Sequence, residues 1–258
     1  MTSDNLSPQG LAGGTRPDDD AALEGEYVVS DDGELMPIDA PTTHLSQELI
    51  NEFVVAAHFD FDKVKSMLAE RYELLNENAA WLETPIQAAA HTGRADIAEF
   101  LLEQGAPLDI CTAAMLGRAD DVRQMLNDDP GLYEAVGAHN IPVMYFPAIA
   151  GNIPIATMLL SAGAAINVED GRSSPLHGAA SFGQTEMVKW LLANDANPYT
   201  VDFDGKTPLE RAQQRQYTAI IELLQPFFPV EEGGTDTGEA QPHEHFKESD
   251  SMNADGQA

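Results

Sequence analysis

Between residues 47 and 228, apolar positions follow a helical spacing that recurs in paired blocks. The first block of a pair is small and compact: residues 84–93 read TPIQAAAHTG and residues 174–183 read SPLHGAASFG. The second block ends in large apolar residues, as in IAEFLL at 97–102 and MVKWLL at 187–192. Apolar residues at this spacing are typical of a helix with one buried face. The pattern therefore predicts pairs of short helices joined by a turn.

The turn within each helix pair recurs at a nearly constant interval. Its intervals along the chain are 34, 24, 34, 32 and 33 residues, with the turns at Phe59, Gly93, Gly117, Gly151, Gly183 and Gln216. A period near 33 residues with the TPLH-like opening phrase resembles the ankyrin-repeat family. The resemblance covers about 180 residues. It implies an all-α solenoid of about six stacked helix-turn-helix units with short β-hairpin loops.

The repeated phrase also has a physical explanation that does not depend on the family. A Thr or Ser before Pro can cap a helix, and Pro is tolerated in the first turn because no internal hydrogen bond is lost there. Paired Ala residues let neighbouring first helices lie close together, and Gly at the turn permits a positive φ. Each unit can bury its apolar faces only against the next unit, so several copies are needed for stability.

Three units depart from the pattern. The third turn comes about nine residues early, and the chain runs from Gly105 almost directly to a helix at Ile110, so this unit is predicted to lack its hairpin. The first unit, residues 53–68, lacks both Thr-Pro and Gly, as expected of a capping repeat. In the last unit Gln216 replaces the turn Gly, which suits an exposed end.

Two prolines fall within the predicted helices of the fourth unit. Pro147 stands where the other units have their first Ala. Inside a helix a proline removes one hydrogen bond and costs about 3 kcal/mol, so a kink is predicted. Pro154 is expected to lie harmlessly in the first turn of the following helix.

Acidic, Gly- and Pro-containing segments flank the repeats. Residues 1–46 contain ten acids and one base, and residues 229–258 contain eight acids and one base. Both have too little clustered apolar surface to offset the entropy of ordering, so we predict two disordered tails around a domain at 47–228. A short extended segment is the one exception considered, at Tyr27, Val28 and Val29.

The charge of the chain limits the classes of molecule that are expected to bind it. Acids outnumber bases 43 to 13, for a formal charge of −30. Such a chain repels nucleic-acid backbones and anionic lipids, so neither is expected as a partner. The single Cys111 permits no intrachain disulfide. No secretory signal or apolar membrane span is apparent, and we expect a cytoplasmic monomer.

Candidate catalytic residues have structural explanations. Asp62, Asp96, Asp120 and Asp121 begin second helices, where negative charge complements the helix dipole. The resemblance implies a structural hydrogen-bonding role for His177, and no cationic neighbour is predicted to activate Cys111. None of the seven histidines forms a Cys/His zinc spacing, and a weak metal-binding segment at His243-Glu244-His245 is disfavoured. We therefore expect no enzymatic activity, cofactor or metal site.

Ankyrin-repeat proteins generally bind other proteins on a concave face of hairpin tips and first-helix ends. Carried over to this chain, the resemblance implies twelve partner-binding residues: Trp81, Leu82, His91, Met115, Leu116, His139, Tyr145, Ile149, Arg172, Phe182, Phe203 and Lys206. Exposed apolar and aromatic residues often mark such interfaces. For Met115, Leu116 and Ile149 the alternative is that they fill the gap left by the third hairpin.

The sequence favours a protein-binding scaffold or adaptor. Its charge would attract basic proteins and speed their association, although adaptation to a salty cytoplasm explains the same composition. An acidic regulator that masks a basic partner through its tails is the second hypothesis.

Overall fold

Helix pairs follow one another from residue 47 onward in the computed structural model, which describes residues 27–29, 35–37 and 45–228. In this part of the chain the α-helices are α1 (Gln47–Ala57), α2 (Phe61–Glu70), α3 (Pro85–His91), α4 (Ala95–Glu103), α5 (Ile110–Met115), α6 (Ala119–Asp128), α7 (Tyr145–Ala150), α8 (Ile153–Ala162), α9 (Pro175–Ser181), α10 (Thr185–Ala193), α11 (Pro208–Arg215) and α12 (Thr218–Leu224).

The N-terminal unit of the chain contains a small antiparallel sheet. Strand β1 (Tyr27–Val29) pairs with β2 (Leu35–Pro37), and Val28 lies opposite Met36. The extended segment considered at residues 27–29 is thus part of a strand. Apart from these two strands and residues 45–46, the two predicted tails lie outside the described residues.

In each repeat between residues 47 and 228, the odd-numbered helix is the first helix and the even-numbered helix is the second. Each first helix packs on the next first helix from α1 to α11, and among the second helices α2 packs on α4, α6 on α8 and α10 on α12. The paired Ala residues of the first helices are buried, for example Ala89 and Ala90 in α3. Small side chains allow these helices to approach closely. The predicted solenoid of stacked helix-turn-helix units is confirmed.

Three first helices begin with the predicted cap. In α3 the Thr84 hydroxyl accepts a hydrogen bond from the Gln87 backbone, while the Gln87 side chain accepts one from the Thr84 N–H. Ser174 and His177 make the same reciprocal pair at α9, as do Thr207 and Glu210 at α11. Because two otherwise unpaired N–H groups are satisfied, such caps fix where a helix starts.

We use the term finger for the loop that precedes each first helix. The second, fourth and sixth fingers are each closed by a backbone hydrogen bond spanning four residues, such as Asp202 N–H to the Lys206 carbonyl at 2.9 Å. The third finger is missing, as predicted. Only residues 104–109 separate α4 from α5, which begins at Ile110 and has Asp109 as its N-cap. The fourth finger is long and contains two 3-10 helices, Pro130–Glu134 and Ala138–Asn140. The second of these contacts α3, so the fourth finger reaches past the third repeat to the second.

The kink predicted at Pro147 does not arise because α7 starts late. This helix begins at Tyr145, so Pro147 is its third residue. The first residues of a helix have no internal acceptor for their N–H groups, and the proline therefore costs no helical hydrogen bond. Two tighter turns precede it, with Tyr145 N–H bonded to the Pro142 carbonyl and Phe146 N–H to that of Val143. Pro154 lies in the first turn of α8, as expected.

The lengths of the helices can be compared with the thickness of a membrane. Among the described residues, no helix combines the length and the apolar character needed to cross a membrane.

Candidate partner-binding surface

The predicted finger-tip residues lie on the surface. Leu82 is 82% exposed and Phe203 is 72% exposed, while Trp81 is 40% exposed. His139 is also exposed, and Arg172 and Lys206 are half-buried. Leu82 has a positive φ of 65°, which is uncommon for a residue other than glycine. The fingers therefore present both apolar and cationic groups.

Three predicted first-helix residues are buried: Met115, Tyr145 and Ile149. The reason is clearest at Gly178 of the neighbouring helix α9. A Cβ placed there would lie 2.8 Å from Cε2 of Tyr145 and 2.9 Å from Cγ2 of Ile149. Since Gly178 has no side chain, α7 packs against the α9 backbone and hides both residues. Met115, Tyr145 and Ile149 therefore present little surface to a partner.

The remaining first-helix residues of the prediction, His91, Leu116 and Phe182, are half-buried. Phe182 follows α9, yet its ring reaches the turn of the second repeat, 2.7 Å from where a Cβ on Gly93 would lie. The ring contacts a glycine that has a φ of 69°. This contact joins the two sides of the concave face.

A groove of about 900 Å³ runs along this concave face. Six of the twelve predicted residues line it: His91, His139, Tyr145, Arg172, Phe182 and Phe203. The other six lie outside its lining: Trp81, Leu82, Met115, Leu116, Ile149 and Lys206. The groove is also lined by Asp202, Arg211 and Arg215, which are not among the twelve predicted residues. The sequence pattern contains no sign that these three residues face a groove.

One wall of the groove is fixed by an ion-pair network around Arg211. Its guanidinium donates to Asp202 Oδ2 and Asp204 Oδ2, both at 2.6 Å, and lies 5.7 Å from the centre of the Phe203 ring. Burial raises the pKa of Asp202, but the hydrogen bond from Arg211 and those from the Lys206 and Asp204 backbone lower it further than burial raises it. The net pKa lies below its ordinary value, so Asp202 is ionised at neutral pH. The sixth finger, with Phe203 at its tip, is therefore tied to α11 by these ion pairs.

A second polar arrangement lies at the inner side of the second and fourth fingers. Side chains of His58, Glu83, His91 and His139 come together there, and we call them the His-Glu cluster. Their candidate ligand atoms all lie within 4.8 Å of one another. From the carboxylate oxygens of Glu83, the Nε2 atoms of His91, His58 and His139 are 2.9, 3.5 and 3.6 Å away.

Glu83 is the buried member of the His-Glu cluster, with 1% of its side chain exposed. Its Oε2 accepts a 2.6 Å hydrogen bond from the Trp81 indole. Burial raises the pKa of Glu83, but the neighbouring His91, Trp81 and His58 side chains lower it further than burial raises it. The carboxylate is thus ionised in an almost dry site. No metal site was expected from the sequence. The cluster was not recognised there because its residues belong to different repeats.

Other candidates have the structural roles expected of them. The ring of His177 accepts from the Ser174 N–H at Nδ1 and reaches the Lys206 carbonyl from Nε2 at 2.8 Å, so it ties α9 to the sixth finger. Cys111 is buried, and that burial raises the pKa of its thiol well above the ordinary value. Asp62, Asp96, Asp120 and Asp121 lie in the first turns of second helices. The segment His243-Glu244-His245 lies outside the described residues.

Comparison with known proteins agrees with this architecture. Residues 81–127 match the family described as "Ankyrin repeat", and residues 159–212 match "Ankyrin repeats (many copies)". The chain is 33% identical over 144 residues to the probable E3 ubiquitin-protein ligase XBOS33 of Oryza sativa subsp. japonica, covering 51% of this chain and 27% of that protein.

Two further relatives match shorter segments. The E3 ubiquitin-protein ligase hecd-1 of Caenorhabditis elegans is 43% identical over 65 residues, covering 25% of this chain and 2% of that protein. The ARF GTPase-activating protein Git of Drosophila melanogaster is 43% identical over 56 residues, covering 22% of this chain and 8% of that protein. The chain thus spans about a quarter or less of the length of these relatives. Taken with the stacked helix pairs, the two family matches show that this chain contains ankyrin repeats.

Proposed function

We propose that this protein is a non-catalytic adaptor that holds a segment of a partner protein in the groove of its concave face. Ankyrin repeats indicate protein–protein interaction. The relatives that match this chain have very different names, which supports a shared binding role and not one particular reaction. The same proposal has the protein act as a monomer in the cytoplasm, in keeping with its single, buried Cys111.

The observation that carries the proposal is the exposed aromatic side chain at the groove rim. Phe203 remains 72% exposed although its finger is fixed by the network around Arg211. An exposed aromatic on a rigid support loses little conformational entropy on binding, which is a common property of interface hot spots. We therefore assign Phe203 as an anchor for an apolar residue of the partner.

The charge of the groove differs from that of the whole chain. Arg172 and Arg215 line it, and among residues 45–228 no carboxylate lies within 4.0 Å of either guanidinium. A bound segment with an acidic residue beside its apolar anchor would suit these arginines. The formal charge of −30 acts at longer range, where it would steer a partner with a basic overall surface toward the protein. Added salt would weaken that steering.

The test compares partner capture by the wild-type protein with capture by Phe203→Ala. Phe59→Ala is the matched control, since Phe59 is an aromatic with 64% exposure that does not line the groove. We expect a partner isolated with the wild type to bind Phe203→Ala at least about tenfold more weakly, as for an interface hot spot. Phe59→Ala should bind it normally. Equal binding by all three proteins would contradict the groove proposal.

The second candidate is an acidic regulator that covers a basic partner with its tails. It is favoured by the excess of acids in the two terminal segments, ten against one base and eight against one base. Removing residues 1–46 and 229–258 separates the hypotheses. An adaptor that uses the groove should retain specific binding and lose only some association rate, whereas a regulator that uses its tails should lose activity altogether.

A further inference from the structure

The His-Glu cluster has the composition of a metal site rather than of an ordinary ion pair. It provides three imidazole nitrogens and one carboxylate, contributed by the first repeat, the second repeat and the fourth finger. Imidazole with carboxylate is a donor set used for Zn²⁺, while Ca²⁺ and Mg²⁺ prefer oxygen ligands alone. Four protein ligands with no fifth group would form a closed site, the kind that has a structural role.

The hydrogen bond at Nδ1 of His58 directs its Nε2 toward Glu83. Its Nδ1 lies 2.8 Å from the Val54 carbonyl, which can only accept, so Nδ1 carries the proton. In the neutral ring Nε2 is then a lone pair, and it faces the Glu83 carboxylate at 3.5 Å. Two acceptors that face each other repel unless a proton or a metal ion lies between them. Metal-binding histidines typically donate their other N–H to a carbonyl in this way.

Two buried atoms at the centre of the cluster have no hydrogen-bond partner. These are Oε1 of Glu83 and Nε2 of His91. They are 2.9 Å apart, but their alignment is not that of a hydrogen bond. Buried polar atoms normally have partners, so an unsatisfied pair requires an explanation. A metal ion bound by both atoms would provide one.

The separations suit tetrahedral zinc. Ligand bonds of about 2.0–2.1 Å in a tetrahedron place neighbouring donor atoms about 3.3 Å apart. From Oε1 of Glu83, the Nε2 atoms of His91 and His139 lie 2.9 and 3.6 Å away, which bracket that value, and all four candidate ligand atoms lie within 4.8 Å of one another. The Trp81 indole already holds Oε2, which orients the carboxylate and leaves Oε1 available. His139 is half-exposed and gives an ion access from solvent.

We propose that His58, Glu83, His91 and His139 bind one Zn²⁺ ion, which joins the fourth finger to the first and second repeats. The ion would compensate for the missing third finger, since that absence leaves the fourth finger to rest on α3. The backbone of the fourth finger is consistent with such a constraint, because His139 and Asn140 both have a φ of 56°. Left-handed conformations at two successive non-glycine residues persist where the surroundings hold them.

The test is a titration of the full-length, untagged protein with Zn²⁺ after removal of metal by a chelator. Isothermal titration calorimetry should give one bound ion per chain, and bound Co²⁺ should show the intense visible absorption of tetrahedral coordination. His139→Gln should weaken zinc binding at least tenfold without unfolding the protein, because His139 lies on an exposed finger. Glu83→Gln should also weaken it, and zinc should raise the melting temperature of the wild type alone.

His243→Gln/His245→Gln is the control for binding by the acidic tail, and it should bind zinc as the wild type does. The proposal is overturned if the wild type binds no zinc, or if His139→Gln binds it as tightly as the wild type. It is also overturned if the tail variant is the one that loses binding. The cluster would then be a buried ion pair in which protonated histidines neutralise Glu83.

Discussion

The Phe182 ring contacts Gly93 across the concave face, although the two residues belong to the fifth and second repeats. A Cβ on Gly93 would lie 2.7 Å from Cε1 of that ring, and Gly93 also has a φ of 69°. In an extended solenoid each repeat contacts only its neighbours. This contact therefore shows that the concave face is strongly curved around its groove.

Replacing Gly93 with Ala is expected to destabilise the protein by about 2–3 kcal/mol. The left-handed backbone contributes about 1–2 kcal/mol of this, and displacement of the Phe182 ring contributes the rest. Gly171→Ala is the control, since Gly171 has a φ of 83° but nothing within 4 Å of its added Cβ. Urea unfolding at pH 7 should show a larger loss for Gly93→Ala. Equal losses would mean that the contact with Phe182 contributes nothing.

Gly178→Ala tests the packing of α7 on α9. In an exposed helix this change stabilises by about 0.5–1 kcal/mol. Here the new methyl would meet Tyr145 and Ile149 at under 3 Å, and overpacking of a core typically costs about 1–3 kcal/mol. We expect a net loss in the free energy of unfolding. A gain in stability would show that α7 and α9 can shift apart enough to accommodate the added methyl group.

Asp202 should make the sixth finger sensitive to acid. The pKa of its carboxyl is lowered in the fold, despite burial, mainly by Arg211. A lowered folded pKa gives stability that is present above about pH 4 and is lost as the pH falls through the folded value. Asp202→Asn should therefore cost about 1–3 kcal/mol at pH 7 and less at pH 3. Chemical unfolding at both pH values measures this.

Asp204→Asn is the control for that variant. Asp204 bonds the same guanidinium, but its side chain is 52% exposed. Exposed ion pairs contribute about 1 kcal/mol or less. If Asp204→Asn cost as much as Asp202→Asn, the buried network would not be what fixes the finger.

His177→Gln should reduce the pH dependence of stability below neutrality. Burial lowers the pKa of His177, so its contribution is present above about pH 6.5 and is lost as the pH falls toward the folded value. Gln87 occupies the same position in α3 and makes the same cap, so glutamine should preserve that feature. The lost bond to the Lys206 carbonyl should cost about 1 kcal/mol. Unfolding at pH 7.5 and pH 5.5 should then differ less than in the wild type; an unchanged difference would contradict this.

The helix pairs could be predicted because their signals are local. Caps such as Thr84, turn glycines such as Gly93 and the shortened second interval depend only on neighbouring residues, and the structure contains each of them. The exposure of the first helices could not be predicted in this way. Tyr145 is buried because a glycine, Gly178, stands opposite it on another helix, and such a pairing is not visible in either segment alone.

The His-Glu cluster was hidden for a similar reason. His58, Glu83, His91 and His139 are separated by 25, 8 and 48 residues, which matches no metal-binding spacing. They meet only because the repeats stack and the fourth finger rests on α3. A search for short motifs therefore has nothing to detect, whereas the stacked arrangement brings the four side chains within 4.8 Å.

The missing third finger has a consequence for how this protein can change over evolution. In a regular solenoid a whole repeat is an interchangeable module that can be duplicated or removed with its own loop. Here the fourth finger contacts α3 of the second repeat. Deleting the third repeat would shift the fourth finger relative to α3, and inserting a regular repeat would place a new finger where the fourth now lies. The second, third and fourth repeats are therefore expected to be inherited as one block.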